Sequence, residues 1–191
     1  PNTAVLAVAG ILVALIIGIP AGIISAKKQY SVVDNVSMVL SLIGVSMPNF
    51  WFGLLVVIVF ALNLGWLPSQ GMGEGGVELL KSLVLPALTL GTGCAATITR
   101  MTRSSMLEVI HQDYIDTAKA KGVSERTITF RHMLKNALIP IVTAVGLQFG
   151  TLLGGAMLTE TVFSWPGLGR LMVDSIKSKD IPMVLGSVVF M

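Results

Sequence analysis

Long stretches without a single charged residue constrain this chain more than anything else in it. Ala4–Ile24, Val36–Leu64, Ser82–Thr99 and Ala137–Thr159 each carry none. A helix needs about 20 apolar residues to cross the hydrocarbon layer of a membrane. No water is available there to bond free backbone amides, so such runs are helices rather than strands. Ile181–Met191 opens one more apolar run. The expected fold is all-α: a polytopic transmembrane helix bundle of about five spans, the last incomplete, forming a single domain over 1–191. Val36–Leu64 is long enough to tilt or kink at Pro48, and the helix through Ser82–Thr99 is expected to run on to His111. The chain starts at Pro1 and ends at Met191 inside an apolar run, so truncation at both ends is expected.

Charge patterning agrees with this reading. Only 12% of the residues are charged, against about 25% in a soluble domain. The net charge of +3 does not point to nucleic acid, because the cations sit at the ends of the apolar runs. The connecting segments are Ser25–Asn35, Asn63–Lys81, Arg100–Asn136 and Glu160–Asp180. The first and third hold nine cations and the other two hold four. Cations favour the cytoplasmic side, so the first and third segments are assigned there. Trp51, Trp66 and Trp165 fall near span ends or in external loops, where interface aromatics belong.

The third segment is unusual. Asp113–Pro140 is polar and helical in two parts, yet apolar runs bracket it. Gln112–Lys121 reads as a short helix ended by Gly122, where a left-handed residue is needed. Ser124 is a good N-cap for a second helix, with Glu125 in its first turn. Val123, Thr127, Phe130, Leu134 and Ala137 then form a narrow apolar stripe, with Arg126, Arg131, His132 and Lys135 opposite. Pro140 cannot bond the Asn136 carbonyl, so a bend or a new helix start is expected there. The pattern fits an amphipathic hairpin lying on headgroups. It also fits a protein-docking surface at 112–136, favoured by the defined turn and by the admixed acids Asp113, Asp116 and Glu125.

The stretch Tyr114–Ile115–Asp116–Thr117–Ala118–Lys119–Ala120–Lys121–Gly122 resembles the cytoplasmic EAA loop of ABC importer permeases. It is most similar to the dipeptide, oligopeptide and nickel branch. Arg100–Glu108, Met47–Pro48–Asn49–Phe50–Trp51, Leu64–Gly65–Trp66–Leu67–Pro68 and Glu160–Arg170 carry the same likeness, in order, along nearly the whole chain. Departures exist: Asp116 and Thr117 stand where the general motif has Glu and Ala, and the closing proline falls later, at Pro140.

The resemblance implies a bacterial or archaeal plasma-membrane protein, the membrane-spanning subunit of an ATP-driven importer, with di- and oligopeptides as the substrate class. It implies separate ABC ATPase subunits, a second permease subunit and an extracytoplasmic solute-binding protein as partners, beside the lipid bilayer. It also implies that Tyr114, Asp116, Thr117, Ala118, Lys121, Gly122, Ser124, Arg126 and Arg131 meet the ATPase subunit. The loop Glu160–Asp180 would help shape the outer entrance, or simply anchor Trp165 at the interface.

No enzymatic chemistry is expected. His111 and His132 form no metal pattern, and no G-x-x-x-x-G-K-[ST] phosphate loop occurs, so neither a cofactor nor bound ATP is expected on this chain. Cys94 lies in an apolar run and reads as a packing residue. The polar residues Ser46, Asn49, Thr92, Thr143, Gln148 and Thr151 within spans are candidates for lining a passage, or for hydrogen bonds between helices. Gly146, Gly150 and Gly154 recur every four residues and are expected to pack tightly inside the bundle. The spans lack internal ionisable groups, which argues against an ion-coupled carrier. A channel or membrane scaffold with a docking hairpin is the second reading, and an intramembrane enzyme lacks a catalytic pair.

Overall fold

The computed structural model describes residues 1–190. Helices α1 (Asn2–Lys27), α2 (Val32–Ser46), α3 (Asn49–Val56), α4 (Gly76–Ile110) and α5 (Asp113–Ala120) come first. Helices α6 (Glu125–Thr127), α7 (Lys135–Gly155), α8 (Met157–Val162), α9 (Leu168–Ser178) and α10 (Ile181–Phe190) follow. π-helical stretches at Val57–Asn63 and Ile128–Leu134 extend α3 and join α6 to α7. No strand occurs among the described residues.

Three helices are long and apolar enough to cross a membrane: α1, α4 and the continuous helix Glu125–Gly154. A fourth crossing is broken: α2 and the helix Asn49–Asn63 meet at 103°. The sequence predicts a kink at Pro48, and the break is far larger than a proline kink. Met47 is extended, with φ −83 and ψ 126, the conformation that a following proline imposes. Pro48 also offers no N–H to continue the ladder, so α2 stops and α3 starts in a new direction. α10 has ten residues, about 15 Å of helix, less than a full crossing. Met191, the last residue of the expected fifth span, lies outside the described residues.

No new helix starts at Pro140, one of the two outcomes expected from the sequence; α7 runs through it. Pro20 in α1 and Pro86 in α4 behave the same way, as prolines do where neighbouring helices accommodate the freed carbonyl. The irregularity falls upstream instead, in the π turn Ile128–Leu134.

α1 and α4 form the most extensive helix pair. Their seam is made by small residues. A Cβ on Gly18 would lie 2.9 Å from the Ala95 carbonyl oxygen, and one on Gly22 would lie 2.5 Å from the Thr102 Cβ. Gly91 meets α1 as closely, 2.6 Å from the Val13 Cβ. With Gly10 and Ala14, the α1 stripe repeats every four residues along one face. Gly146, Gly150 and Gly154 behave differently. A Cβ on any of them would meet nothing within 4 Å, so the expected tight packing is absent among the described residues.

Large apolar side chains such as Ile16, Leu40, Ile139 and Leu147 point outward. An apolar exterior fits a chain whose solvent is hydrocarbon. One core cluster joins α1, α4 and α7 around Leu6, Ile11, Leu90, Ile98 and Trp165; a second lies at the opposite end of the bundle, under α5 and the π turn.

Alternation of the connecting segments holds in space. The first and third meet where Lys27 Nζ lies 3.8 Å from Glu125 Oε2. The second and fourth meet where Gly71 N–H donates to the Phe163 carbonyl at 2.8 Å. The glycine-rich patch Gly71–Gly76 is thereby pinned, with Gly73 N–H also donating to Ser82 Oγ at 3.1 Å. Trp51 and Trp66 are exposed, but Trp165 is 0% exposed. Trp165 is therefore no interface anchor: its Nε1–H donates to the Asn2 carbonyl at 3.0 Å, and its ring fills the core.

Candidate functional site

α5 begins after Gln112 and ends in a tight reversal. Gly122 has φ +72. Its N–H donates to the Lys119 carbonyl at 2.9 Å, and Val123 N–H donates to the Ala118 carbonyl at 3.2 Å. Those are the paired bonds of a Schellman motif, which needs a left-handed residue at Gly122. Ser124 then caps α6, its Oγ accepting from Thr127 N–H at 3.4 Å. Both ends of the reversal are thus set locally, as the sequence predicts.

The predicted stripe holds at Ala137, which is buried, and at Val123 and Leu134, which pack against the same cluster, but not at Phe130. Ile128, Thr129, Met133 and Ala137 are buried, whereas Phe130 is 55% exposed. The π turn is the reason. Its i to i+5 bonding brings residues five apart, here Ile128 and Met133, onto one face and turns Phe130 outward. Ile115 and Ala118 of α5 join them, with Ile23 and Ala26 of α1 and Met106 of α4. Ala118 is 7% exposed. Its small side chain packs against the bundle.

The rest of the set expected to meet a partner is exposed. Asp116 pairs with Lys119 at 3.2 Å, and Thr117 Oγ1 donates back to the Asp113 carbonyl at 2.9 Å. Tyr114 Oη accepts from Asn136 Nδ2 at 3.0 Å, closing the base of the hairpin. Lys121, Gly122, Ser124, Arg126 and Arg131 face outward. Arg126 and Arg131 make no ion pair among the described residues, so their guanidinium groups remain available.

Beneath the hairpin lies a feature the sequence reading missed. Asp34 is 2% exposed and takes two bonds from Arg103, Nε to Oδ1 at 2.6 Å and Nη2 to Oδ2 at 2.7 Å. The Ser25 hydroxyl donates to Oδ1, and the Tyr30 N–H donates to Oδ2 at 2.9 Å. The signal was present as Ser31–Val32–Val33–Asp34, a capping sequence. Ser31 Oγ indeed accepts from Asp34 N–H, at 3.3 Å.

Four of the six candidate pathway residues are brought together. Asn49, Gln148 and Thr151 line a cavity of about 320 Å³, and Asn49 and Thr92 line another of about 240 Å³. Ser46 and Thr143 line neither. The hydroxyls are not bonded between helices. Thr92 donates to the Leu88 carbonyl at 2.7 Å, Thr143 to Ile139 at 3.1 Å and Thr151 to Leu147 at 2.7 Å. Within a helix, a hydroxyl can always reach the carbonyl one turn back, so no second helix is needed.

At the other end, Glu160 is 0% exposed. Its Oε2 accepts from Arg170 N–H at 3.1 Å in the first turn of α9, where negative charge suits the helix dipole.

Fold and hairpin together define an all-α, multi-pass membrane protein with a polar helical elbow between two spans. Over residues 18–191 the sequence matches the family described as binding-protein-dependent transport system inner membrane component, and the chain belongs to that family. Its fold is similar to that in a solved inward-facing structure of the MetNI methionine ABC transporter. The TM-score is 0.79 at 21% identity, over 98% of this chain and 83% of that one. The oligopeptide transport system permease protein AppB of Bacillus subtilis is 44% identical, over 99% of this chain and 61% of its own length. The dipeptide transport system permease protein DppB of Alkalihalophilus pseudofirmus is 46% identical, over 94% and 61%. The glutathione transport system permease protein GsiC of Escherichia coli K12 is 47% identical, over 90% and 54%. The chain thus spans roughly three-fifths or less of these relatives.

Proposed function

We propose that this chain is the membrane-spanning part of an ATP-driven importer of di- or oligopeptides in a bacterial or archaeal plasma membrane. The observation that carries the reading is the hairpin. Its turn is set by Gly122 and Ser124, its inner face is buried on α1 and α4, and its outer face is left polar. In this reading the outer face sits in a groove of a separate ATPase subunit. Tyr114, Asp116, Thr117, Lys121, Gly122, Ser124, Arg126 and Arg131 supply the contacts. Nucleotide-driven closure of the ATPase pair moves the groove, and the bundle alternates between outward and inward openings as a rigid body.

The cavities at Asn49, Gln148, Thr151 and Thr92 belong to the passage. A second permease subunit covers the bare glycine face of α7, and a solute-binding protein delivers peptide to the end that carries α9. The Glu160–Asp180 segment shapes that entrance. Relatives named for peptide and glutathione transport support the substrate class.

The test is Gly122→Val in the full transporter. Gly122 has φ +72 and open space around it, so the change strains the turn without a clash. Membrane insertion should be unchanged, while peptide uptake falls at least about tenfold as ATP hydrolysis continues. Full uptake by that variant removes the hairpin from the coupling path.

A further inference from the structure

α2 is poorly anchored: Asp34 and Ser41 are its only buried residues. Ser41 bonds only within its own helix, to the Ser37 carbonyl at 2.8 Å. Asp34 is therefore the one buried polar group that ties α2 to anything else, and it does so through four donors. Arg103 reaches it across 69 residues of sequence as a two-pronged pair, Ser25 comes from the last turns of α1, and Tyr30 comes from the connecting loop. Tyr30 is held at φ 62, a conformation uncommon for a residue with a side chain, and the carboxylate bonds its N–H there.

The position of this knot matters more than its strength. Ser25 lies between Ile23 and Ala26, and Arg103 lies one turn before Met106; those three apolar residues are the floor on which the hairpin packs. Beside the knot, Lys27 reaches Glu125 of the second hairpin arm at 3.8 Å. α4 has 35 residues, about 52 Å of helix, well beyond a hydrocarbon layer of about 30 Å. Its projecting end carries both Arg103 and the hairpin. A buried ion pair is seldom a net gain in stability over apolar packing, and its best-attested use is to fix register.

We propose that the Asp34–Arg103 pair is a positioning latch: it fastens α2 to the α1–α4–hairpin unit, so that displacement of the hairpin carries the broken span with it. This rests on the importer reading above. Without the latch, the hairpin still docks and moves α1 and α4, but α2 lags and the passage beside Asn49 no longer opens in step.

The experiment uses the full-length protein with its ATPase subunits, second permease subunit and solute-binding protein in proteoliposomes, with labelled dialanine as the probe. ATP hydrolysed per dipeptide imported is measured for wild type, Asp34→Asn, Arg103→Lys and Ser25→Ala. Asp34→Asn should raise that ratio at least about fivefold in complexes of unchanged composition. Arg103→Lys keeps the charge but loses the two-pronged geometry, and should fall between Asp34→Asn and wild type. Ser25→Ala should shift the ratio least. Should Asp34→Asn fail to assemble, the same ordering in the other two variants supports the latch. Variants that lower the yield of complex but leave the ratio at the wild-type value overturn it, because a merely structural role acts on yield alone. A wild-type complex without ATP-driven uptake instead overturns the importer reading itself.

Discussion

Two helices of this protein carry small residues at every fourth position, Gly10, Ala14, Gly18 and Gly22 on α1 and Gly146, Gly150 and Gly154 on α7, and they do opposite things with them. On α1, Gly10, Gly18 and Gly22 lie against α4 with no room for a methyl group at the last two. On α7, a Cβ on Gly146, Gly150 or Gly154 would meet nothing within 4 Å among the described residues. The spacing is the same, so spacing alone does not say whether a stripe is a seam or a bare face. What separates them is the partner. α4 brings its own small residues, Gly91 and Ala95, to the crossing, and no described helix offers α7 an equivalent surface.

Single substitutions can break or sharpen this contrast. Heat-induced aggregation of the purified protein in detergent is the common measurement. The largest effect is expected for Gly22→Val, which forces two branches into Thr102; a loss of about 3 kcal/mol or more and little extractable protein should result. Gly18→Ala places a Cβ 2.9 Å from backbone oxygen and should cost about 1–3 kcal/mol. Gly10→Ala meets nothing closer than the Leu90 Cβ at 3.2 Å, and should stay within about 1 kcal/mol of wild type as that gap is absorbed. Gly150→Ala should leave the isolated chain unchanged or more stable by less than about 1 kcal/mol, since alanine is the better helix former. A Gly150 variant as damaging as Gly22→Val would show that α7 has a partner in the chain after all.

Much of the architecture was legible because membranes impose simple rules. Apolar run length set the crossings, cation bias paired the connecting segments, and Gly122 and Ser124 announced the reversal between α5 and α6. Local backbone chemistry dictates each of these. What stayed hidden depends on distant partners or on small departures from ideal geometry. The π turn moved the buried face from Phe130 to Ile128 and Met133, and a 3.6-residue template has no way to anticipate that. Trp165 looked like an interface aromatic because its burial depends on Asn2, at the far end of the sequence. The Asp34–Arg103 knot joins residues at the edges of two runs, where charge reads as topology rather than as an internal bond. Of the candidate docking residues, Ala118 is the one buried against the bundle, since smallness suits a core as well as a contact.

The break between α2 and α3 has a further consequence. α2 has 15 residues, about 22 Å of helix, so Met47 and Pro48 fall within the depth of a hydrocarbon layer about 30 Å thick. Carbonyls at a severed helix end need bonding partners that oil does not provide. The neighbouring hollow, with Asn49, Thr97, Gln148 and Thr151 on its walls, is roomy enough for several water molecules at about 30 Å³ each. The fracture therefore opens onto a polar-walled hollow with room for the hydration that its severed ladder needs.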